Sequence, residues 1–393
     1  MPTSLYLHIP FCRHRCAYCD FNTYAGLESL MDPYMAALER EVRSFAGRLD
    51  DEVGTVFFGG GTPSLVPVRQ LAQILTAVHE TFFLAPGAEI SLEANPGTVS
   101  PEYLADLRAA GVDRLSMGMQ SASPDDLRVL EREHDYFDVV NAVRWARQGG
   151  FKNINLDLIF GLPYQSLQSW QQTLELAAGL GPDHLSVYNL ILEHGTPMNA
   201  WVARGLLPAP DDDLAADMYE HARDRLADLG YEQYEISNWA RRDGAGTLLA
   251  CRHNLQYWRS LPYLGLGAGA HGYAGGVRTV NVRAPQAYID RMSGQDGRPF
   301  PRGVATVNAA EVERADEMGE MMMMGLRLVR EGVAEPVFRS RFGVGIAETF
   351  QDETGTLVRQ GLLEWSGDTL RLTSRGVLLG NRVFMEFIPS ITI

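Results

Sequence analysis

Between residues 4 and 189, short apolar runs with β-favouring residues alternate with amphipathic stretches of helical period. The runs are Ser4–Ile9, Val53–Phe58, Glu89–Ala94, Arg114–Met119, Ile154–Leu158 and His184–Asn189. Between them lie Tyr34–Phe45, Val68–Thr81, Glu102–Ala110, Phe137–Gln148 and Leu167–Ala178. A strand that reaches its neighbour through a helix pairs with it in parallel and leaves the helix on the outside. The chain is therefore expected to be an α/β protein with a parallel open sheet or barrel. Six repeats rather than eight suggest a partial barrel, open along one side where a larger ligand can enter. Ligands of such barrels sit at the carboxyl ends of the strands, so the residues just past each strand are the informative ones.

The first of those positions holds Cys12-(x)3-Cys16-(x)2-Cys19. Three thiolates within eight residues suit an iron–sulfur cluster with one iron left open to a small molecule. Structural zinc usually takes four ligands in two paired knuckles, and no second Cys/His pair stands nearby. A disulfide framework needs an even count and a secreted context. The one further cysteine is Cys251, and residues 1–11 lack the basic and apolar regions of a signal peptide. The reading is a reducing, cytoplasmic location.

The 393 residues carry a net charge of −15, which argues against general nucleic-acid binding. No apolar run reaches the roughly 20 residues of a membrane span, which leaves peripheral membrane contact open. Arg13, His14 and Arg15, between the cysteines, would either face an anionic ligand or electron donor or screen a negative cluster.

The other strand ends supply further polar groups. Gly59-Gly60-Gly61-Thr62 follows the second strand, where glycines let backbone approach a ligand closely. It lacks the Gly-Lys-Ser/Thr ending of a nucleotide P-loop. Glu93 ends the third strand among apolar residues; its plain role is an internal salt bridge. Gln120 ends the fourth, Arg132 follows twelve residues later as a candidate for a ligand carboxylate, and Asp157 lies in the fifth.

Beyond about Gly195 the rhythm changes to a long helix, Leu214–Leu229, and a strand, Tyr231–Ile236. Cys251–Trp258 and a glycine-rich Leu264–Tyr273 follow, and residues 274–307 read as connector and short helix. Asn308 with Glu311 three residues on matches a capping box, so a helix is expected from Asn308 through Arg330. Four successive methionines, Met321–Met324, face all sides of that helix and are read as core packing rather than ligands. The last segment reads helix, turn, helix, then a hairpin of Leu362–Trp365 and Leu370–Leu372, a winged-helix-like outline. Its acidic residues interrupt any basic face, so packing or partner contact is expected there instead of DNA binding.

The cysteine spacing, with Tyr18 before the third cysteine, resembles the radical S-adenosylmethionine (SAM) superfamily. In that superfamily three cysteines hold a [4Fe–4S] cluster and SAM chelates the fourth iron. The resemblance is closest to the oxygen-independent coproporphyrinogen III oxidases and their heme-chaperone branch, and it runs through nearly the whole chain. It implies a (βα)6 partial TIM-type barrel of the radical SAM class at 1–195. It further implies an extension at 196–300 and a C-terminal helical, winged-helix-like domain at 301–393. Cys12, Cys16 and Cys19 would hold the cluster. Tyr6, Tyr18, Gly60, Gly61, Thr62, Glu93, Gln120, Arg132 and Asp157 would contact SAM.

Three features favour the chaperone branch. Phe21 stands where the oxidase has a further cysteine, and only eleven residues precede Cys12, where the oxidase has a long N-terminal segment. His253-Asn254-Leu255-Gln256-Tyr257-Trp258 matches the chaperone's HNxxYW signature, in which a histidine can ligate heme iron and aromatic residues flank the macrocycle. His253 is thus the expected heme contact, with Cys251 and His271 as rivals. The implied function is a heme chaperone that binds [4Fe–4S], SAM and heme, accepts electrons from a donor and delivers heme to hemoproteins. The alternatives are a coproporphyrinogen oxidase that decarboxylates propionates by radical chemistry, and a regulator that does not cleave SAM.

Overall fold

The structure is a computed structural model that describes residues 2–294 and 298–388. Alternation within each strand determines which face meets what. Along β1 (Thr3–Ile9), Leu5, Leu7 and Ile9 are buried in the main apolar core. Tyr6 and His8 point the other way and line a cavity.

β2 (Val53–Gly60), β3 (Leu84–Ala94), β4 (Arg114–Gln120), β5 (Asn153–Phe160) and β6 (His184–Asn189) follow β1 side by side, all parallel. Helices α1 (Met31–Ser44), α2 (Val68–Thr81), α3 (Pro101–Ala109), α4 (Tyr136–Gln148) and α5 (Leu167–Gly179) alternate with them. Their apolar stripes complete the core against the outer face of the sheet. These are the six strands and five helices expected from the sequence. The inner face is polar instead: Asn155 donates to Ser116 (2.7 Å) and accepts from Ser186 (3.2 Å), and its Oδ1 lies 2.6 Å from His184 Nδ1. Such buried polar groups are tolerable because each finds a partner.

The sheet does not stop at six strands. After α6 (Asp212–Asp228), β7 (Glu232–Glu235) and β8 (Asn238–Ala240) extend one edge, β8 running antiparallel to β6. The HNxxYW segment is helix α7 (Arg252–Trp258). It leads into β9 (Tyr263–Leu266), a seventh parallel strand beside β1 with Tyr6 level with Gly265. β10 (His271–Ala274), β11 (Val277–Asn281) and β12 (Thr306–Glu311) then continue antiparallel. The result is a twelve-stranded sheet in the order β12-β11-β10-β9-β1-β2-β3-β4-β5-β6-β8-β7, whose edges are not bonded to each other.

β12 corrects the expected helix from Asn308. Asn308 and Glu311 pair with Val280 and Val277 of β11, so the ladder takes the backbone groups a capping box would have used. The helix, α8 (Arg314–Gly325), begins after this strand, and Met321 and Met322 are buried in a second core. That core also gathers Phe338 and Phe342 of α9 (Glu335–Phe342) and Leu357 of α10 (Gln351–Arg359). The hairpin β13 (Leu363–Ser366) and β14 (Thr369–Leu372) closes it, with Val333–Ala334 as a third strand. This is the winged-helix-like outline; the expected domain boundary at 393 lies outside the described residues, which end at 388. Among the described residues no helix is long and apolar enough to cross a membrane.

Candidate functional site

The loop after β1 carries the three cysteines, all partly exposed. Each thiol has a polar partner. The Thr62 hydroxyl donates to Cys12 Sγ (3.5 Å), Arg132 Nη1 donates to Cys16 Sγ (3.6 Å), and the Thr23 hydroxyl lies 3.9 Å from Cys19 Sγ. Burial pushes the Cys12 and Cys19 thiols up from their usual range, while Thr62 and Thr23 act against that rise. No three His, Cys, Asp or Glu side chains among the described residues converge as ligands of one metal ion. Thiolates that each hold a different iron of a cluster have no need to converge.

The cysteines open on a cavity of about 560 Å³. Its walls include Tyr18, Gly60, Gly61, Thr62, Glu93, Gln120, Arg132 and Asp157, so the residues read from separate strand ends meet in one place. Tyr6 is the exception: it lines the larger neighbouring cavity, its hydroxyl 3.0 Å from His8 Nδ1.

Backbone and charge shape this pocket. Gly60 has φ +116°, and a Cβ there would come within 2.4 Å of the His8 ring, so only glycine fits beside β1. Its N–H donates to Glu93 Oε2 (3.0 Å). Burial, with Asp157 adding its charge, pushes the Glu93 carboxyl up to about 7. Burial likewise raises Asp157, which accepts from Asn155 (2.8 Å) and Ser116 (3.3 Å). Gln120 sits in the left-handed region at φ +65°, a strained state for a residue with a side chain. Arg132 donates to Gly118 O (3.0 Å), while its Nε is buried without a partner among the described residues. The pocket thus offers soft sulfur donors, carboxylates for an ammonium and a spare guanidinium N–H for a carboxylate. That set fits a cluster and an amino acid-bearing sulfonium such as SAM.

A second cavity, about 1660 Å³, lies between the barrel mouth and the C-terminal helices. It shares Phe21, Gly60, Glu93, Tyr188, Asn189 and Ile191 with the first. Phe21 is 64% exposed at this boundary. His253 lies at the cavity wall but is 1% exposed. Its ring stacks on Phe57 (4.9 Å), with Nδ1 2.7 Å from the Thr55 hydroxyl and Nε2 2.9 Å from the Tyr257 hydroxyl. Burial pushes its pKa down to about 3. Cys251 is buried away from either cavity's lining and donates to Glu89 (3.7 Å); burial pushes its thiol up to about 12. His271 is an exposed cavity residue.

Thr23, His8 and Asn22 were not singled out from the sequence. His8 shares the inward face of β1 with Tyr6, a period-two signal that could have found it. Asn22 O accepts or faces His8 Nε2 at 2.9 Å, a contact no sequence spacing announces.

Comparison with known proteins gives the fold a lineage. Residues 6–177 match the radical SAM superfamily model and residues 312–379 the HemN C-terminal domain. The heme chaperone HemW of Mycobacterium tuberculosis is 42% identical over 97% of this chain and 94% of its own. Those of Bacillus subtilis (39%, covering 98% and 99%) and Escherichia coli (35%, covering 98% and 98%) are similar. Among solved structures, coproporphyrinogen III oxidase (HemN) from Escherichia coli superposes with a TM-score of 0.82 at 26% identity, covering 99% of this chain and 91% of that one.

Proposed function

The chain belongs to the HemW heme chaperone family of the radical SAM superfamily, and from that premise we propose that it is a cytoplasmic heme carrier. It binds a [4Fe–4S] cluster through Cys12, Cys16 and Cys19, holds SAM beside it, and passes heme to acceptor hemoproteins. The observation that carries this reading is the larger cavity. At about 1660 Å³ it exceeds the 300–1,000 Å³ usual for small-molecule pockets, and it abuts the SAM pocket along Gly60 and Glu93. Phe57, Tyr188, Tyr257 and Trp258 offer it aromatic surface, while Arg283, Arg375 and Arg382 offer charge for propionates.

When bound, the cluster and SAM supply one-electron chemistry, drawn from an external electron donor. The chain's own residues do the rest. Glu93 and Asp157 receive the SAM ammonium, Arg132 receives its carboxylate, and the Gly59–Gly61 backbone fits closely around it. Tyr18 closes one side, Tyr6 stands beyond it in the neighbouring cavity, Gln120 offers a side-chain amide, and Thr62 steadies Cys12.

The test is transfer. Heme-loaded protein, reconstituted without oxygen, is mixed with an apo-hemoprotein and the acceptor's Soret band is followed. The expected result is acceptor loading faster than from free heme. Protoporphyrinogen made from coproporphyrinogen III at catalytic turnover, with SAM and reductant present, would establish the oxidase reading in its place.

A further inference from the structure

The heme-carrier reading leaves open which side chain grips the iron, and the three cavity histidines, His8, His253 and His271, differ in what they can offer. Both ring nitrogens of His8 are engaged, Nδ1 with the Tyr6 hydroxyl (3.0 Å) and Nε2 with Asn22 O (2.9 Å). Axial ligation needs a ring nitrogen with a free lone pair facing the macrocycle. Both ring nitrogens of His253 already lie in hydrogen-bond contact, with Thr55 at 2.7 Å and Tyr257 at 2.9 Å. The ring is also clamped between the Phe57 face and the Tyr257 edge. Thr55 also donates to Ser4 (2.6 Å), so Nδ1 carries the proton toward Thr55 and only Nε2 has a lone pair to give. Freeing it would leave the Tyr257 hydroxyl without its partner, at a cost of roughly 1–3 kcal/mol.

His271 has none of these ties. It opens β10 at the cavity wall, its side chain is exposed, and it has no side-chain hydrogen bond or ion pair among the described residues. Its backbone is held firmly all the same: it pairs with Val280, and Gly265 lets it lie so close to β9 that a Cβ there would overlap the His271 carbonyl. Burial and the charges of Arg278 and Arg283 lower its pKa, which favours the neutral ring a metal needs. Arg283 lines the same cavity, and its side chain has no partner among the described residues.

Resting on the heme-carrier reading, we propose that His271 is the axial ligand of the carried heme iron and that Arg283 holds a propionate. His253 then acts as a wall residue that keeps Tyr257 and Phe57 in place for the macrocycle.

The experiment is an anaerobic heme titration of full-length reconstituted wild type, His271→Ala, His271→Met, His253→Ala and Arg283→Gln, read by absorbance. Iron–sulfur content and Tm serve as checks that each variant is folded. The proposal expects His271→Ala to lose the wild-type Soret position and bind at least tenfold more weakly, with added imidazole restoring the band. His271→Met should bind with a shifted spectrum, which keeps the test intact if the alanine variant misfolds. Arg283→Gln should weaken binding several-fold with the wild-type spectrum, and His253→Ala should retain the spectrum. A wild-type spectrum and affinity in both His271 variants overturn the ligand assignment alone, as does a loss confined to His253→Ala. A wild-type protein that takes up no heme to saturation overturns the carrier reading with it.

Discussion

Glu93 shows how a single side chain ties the pocket to pH. Its carboxyl titrates near 7 in the folded protein, against an ordinary value of 4.5. The unfolded chain therefore gives up this proton first, and between pH 4.5 and 7 folding stability falls as pH rises. Above 7 the burial penalty is fully present, on the order of 2 kcal/mol after allowance for the open pocket. Glu93→Gln keeps an acceptor for the Gly60 N–H, so it is expected to gain stability over wild type at pH 8 and to match it at pH 4. Denaturant unfolding at the two pH values checks this. SAM binding runs the opposite way, because an ammonium prefers the ionised carboxylate. Calorimetric SAM affinity of the wild type should rise about tenfold from pH 6 to 8 and stay flat in Glu93→Gln. At this scale the sequence was readable where chemistry is concentrated, in cysteines, glycines and a carboxylate among apolar residues. Thr23 and Asn22 were not, since their partners are set by how the loop folds back on β1.

Elements were legible in proportion to their burial. β1 to β6 carry short apolar runs ended by glycine, proline or a polar residue, and helices of period 3.6 separate them. β9 was hidden inside a glycine-rich stretch, and β12 carried a capping-box pattern that the sheet edge overrode. The signature helix α7 depends on a cap from another element. Glu89 of β3 accepts from the Arg252 N–H (3.0 Å) and the His253 N–H (3.3 Å) and receives the Cys251 thiol. Its neighbour Arg114 is also buried and feels its charge. Glu89→Ala is expected to cost about 2–3 kcal/mol, as an orphaned helix start and a less balanced buried cation add up. The solvent-facing cap Asp135→Ala on α4, which breaks a reciprocal bond with Asp138, should cost only about 1 kcal/mol. Urea unfolding of the two variants measures the difference, and only Glu89→Ala should also disturb heme uptake, because only it loosens α7.

The molecule has two apolar cores, one through the barrel and its sheet and one around α9, α10 and the hairpin, with the large cavity between them. Arg327 joins the two. Its guanidinium stacks over Trp258 of α7 (4.4 Å) and pairs with the fully buried Glu235 of β7 (3.4 Å). Its carbonyl accepts from the Ile236 N–H (3.1 Å). Burial raises the Glu235 carboxyl even with this cation beside it, so removing the cation leaves a charge with poor solvation. Arg327→Met should therefore destabilise by about 3 kcal/mol at pH 8. The loss should shrink as pH falls, because a raised carboxyl takes up its proton and the stranded charge disappears. Adding Glu235→Gln to Arg327→Met removes that charge at every pH and should recover most of the stability, since an apolar or neutral replacement of a buried pair is often tolerated. Urea unfolding at pH 8 and pH 5 separates these outcomes. Equal losses in single and double variants would mean that stacking on Trp258, rather than the pairing with Glu235, joins the two halves around the cavity.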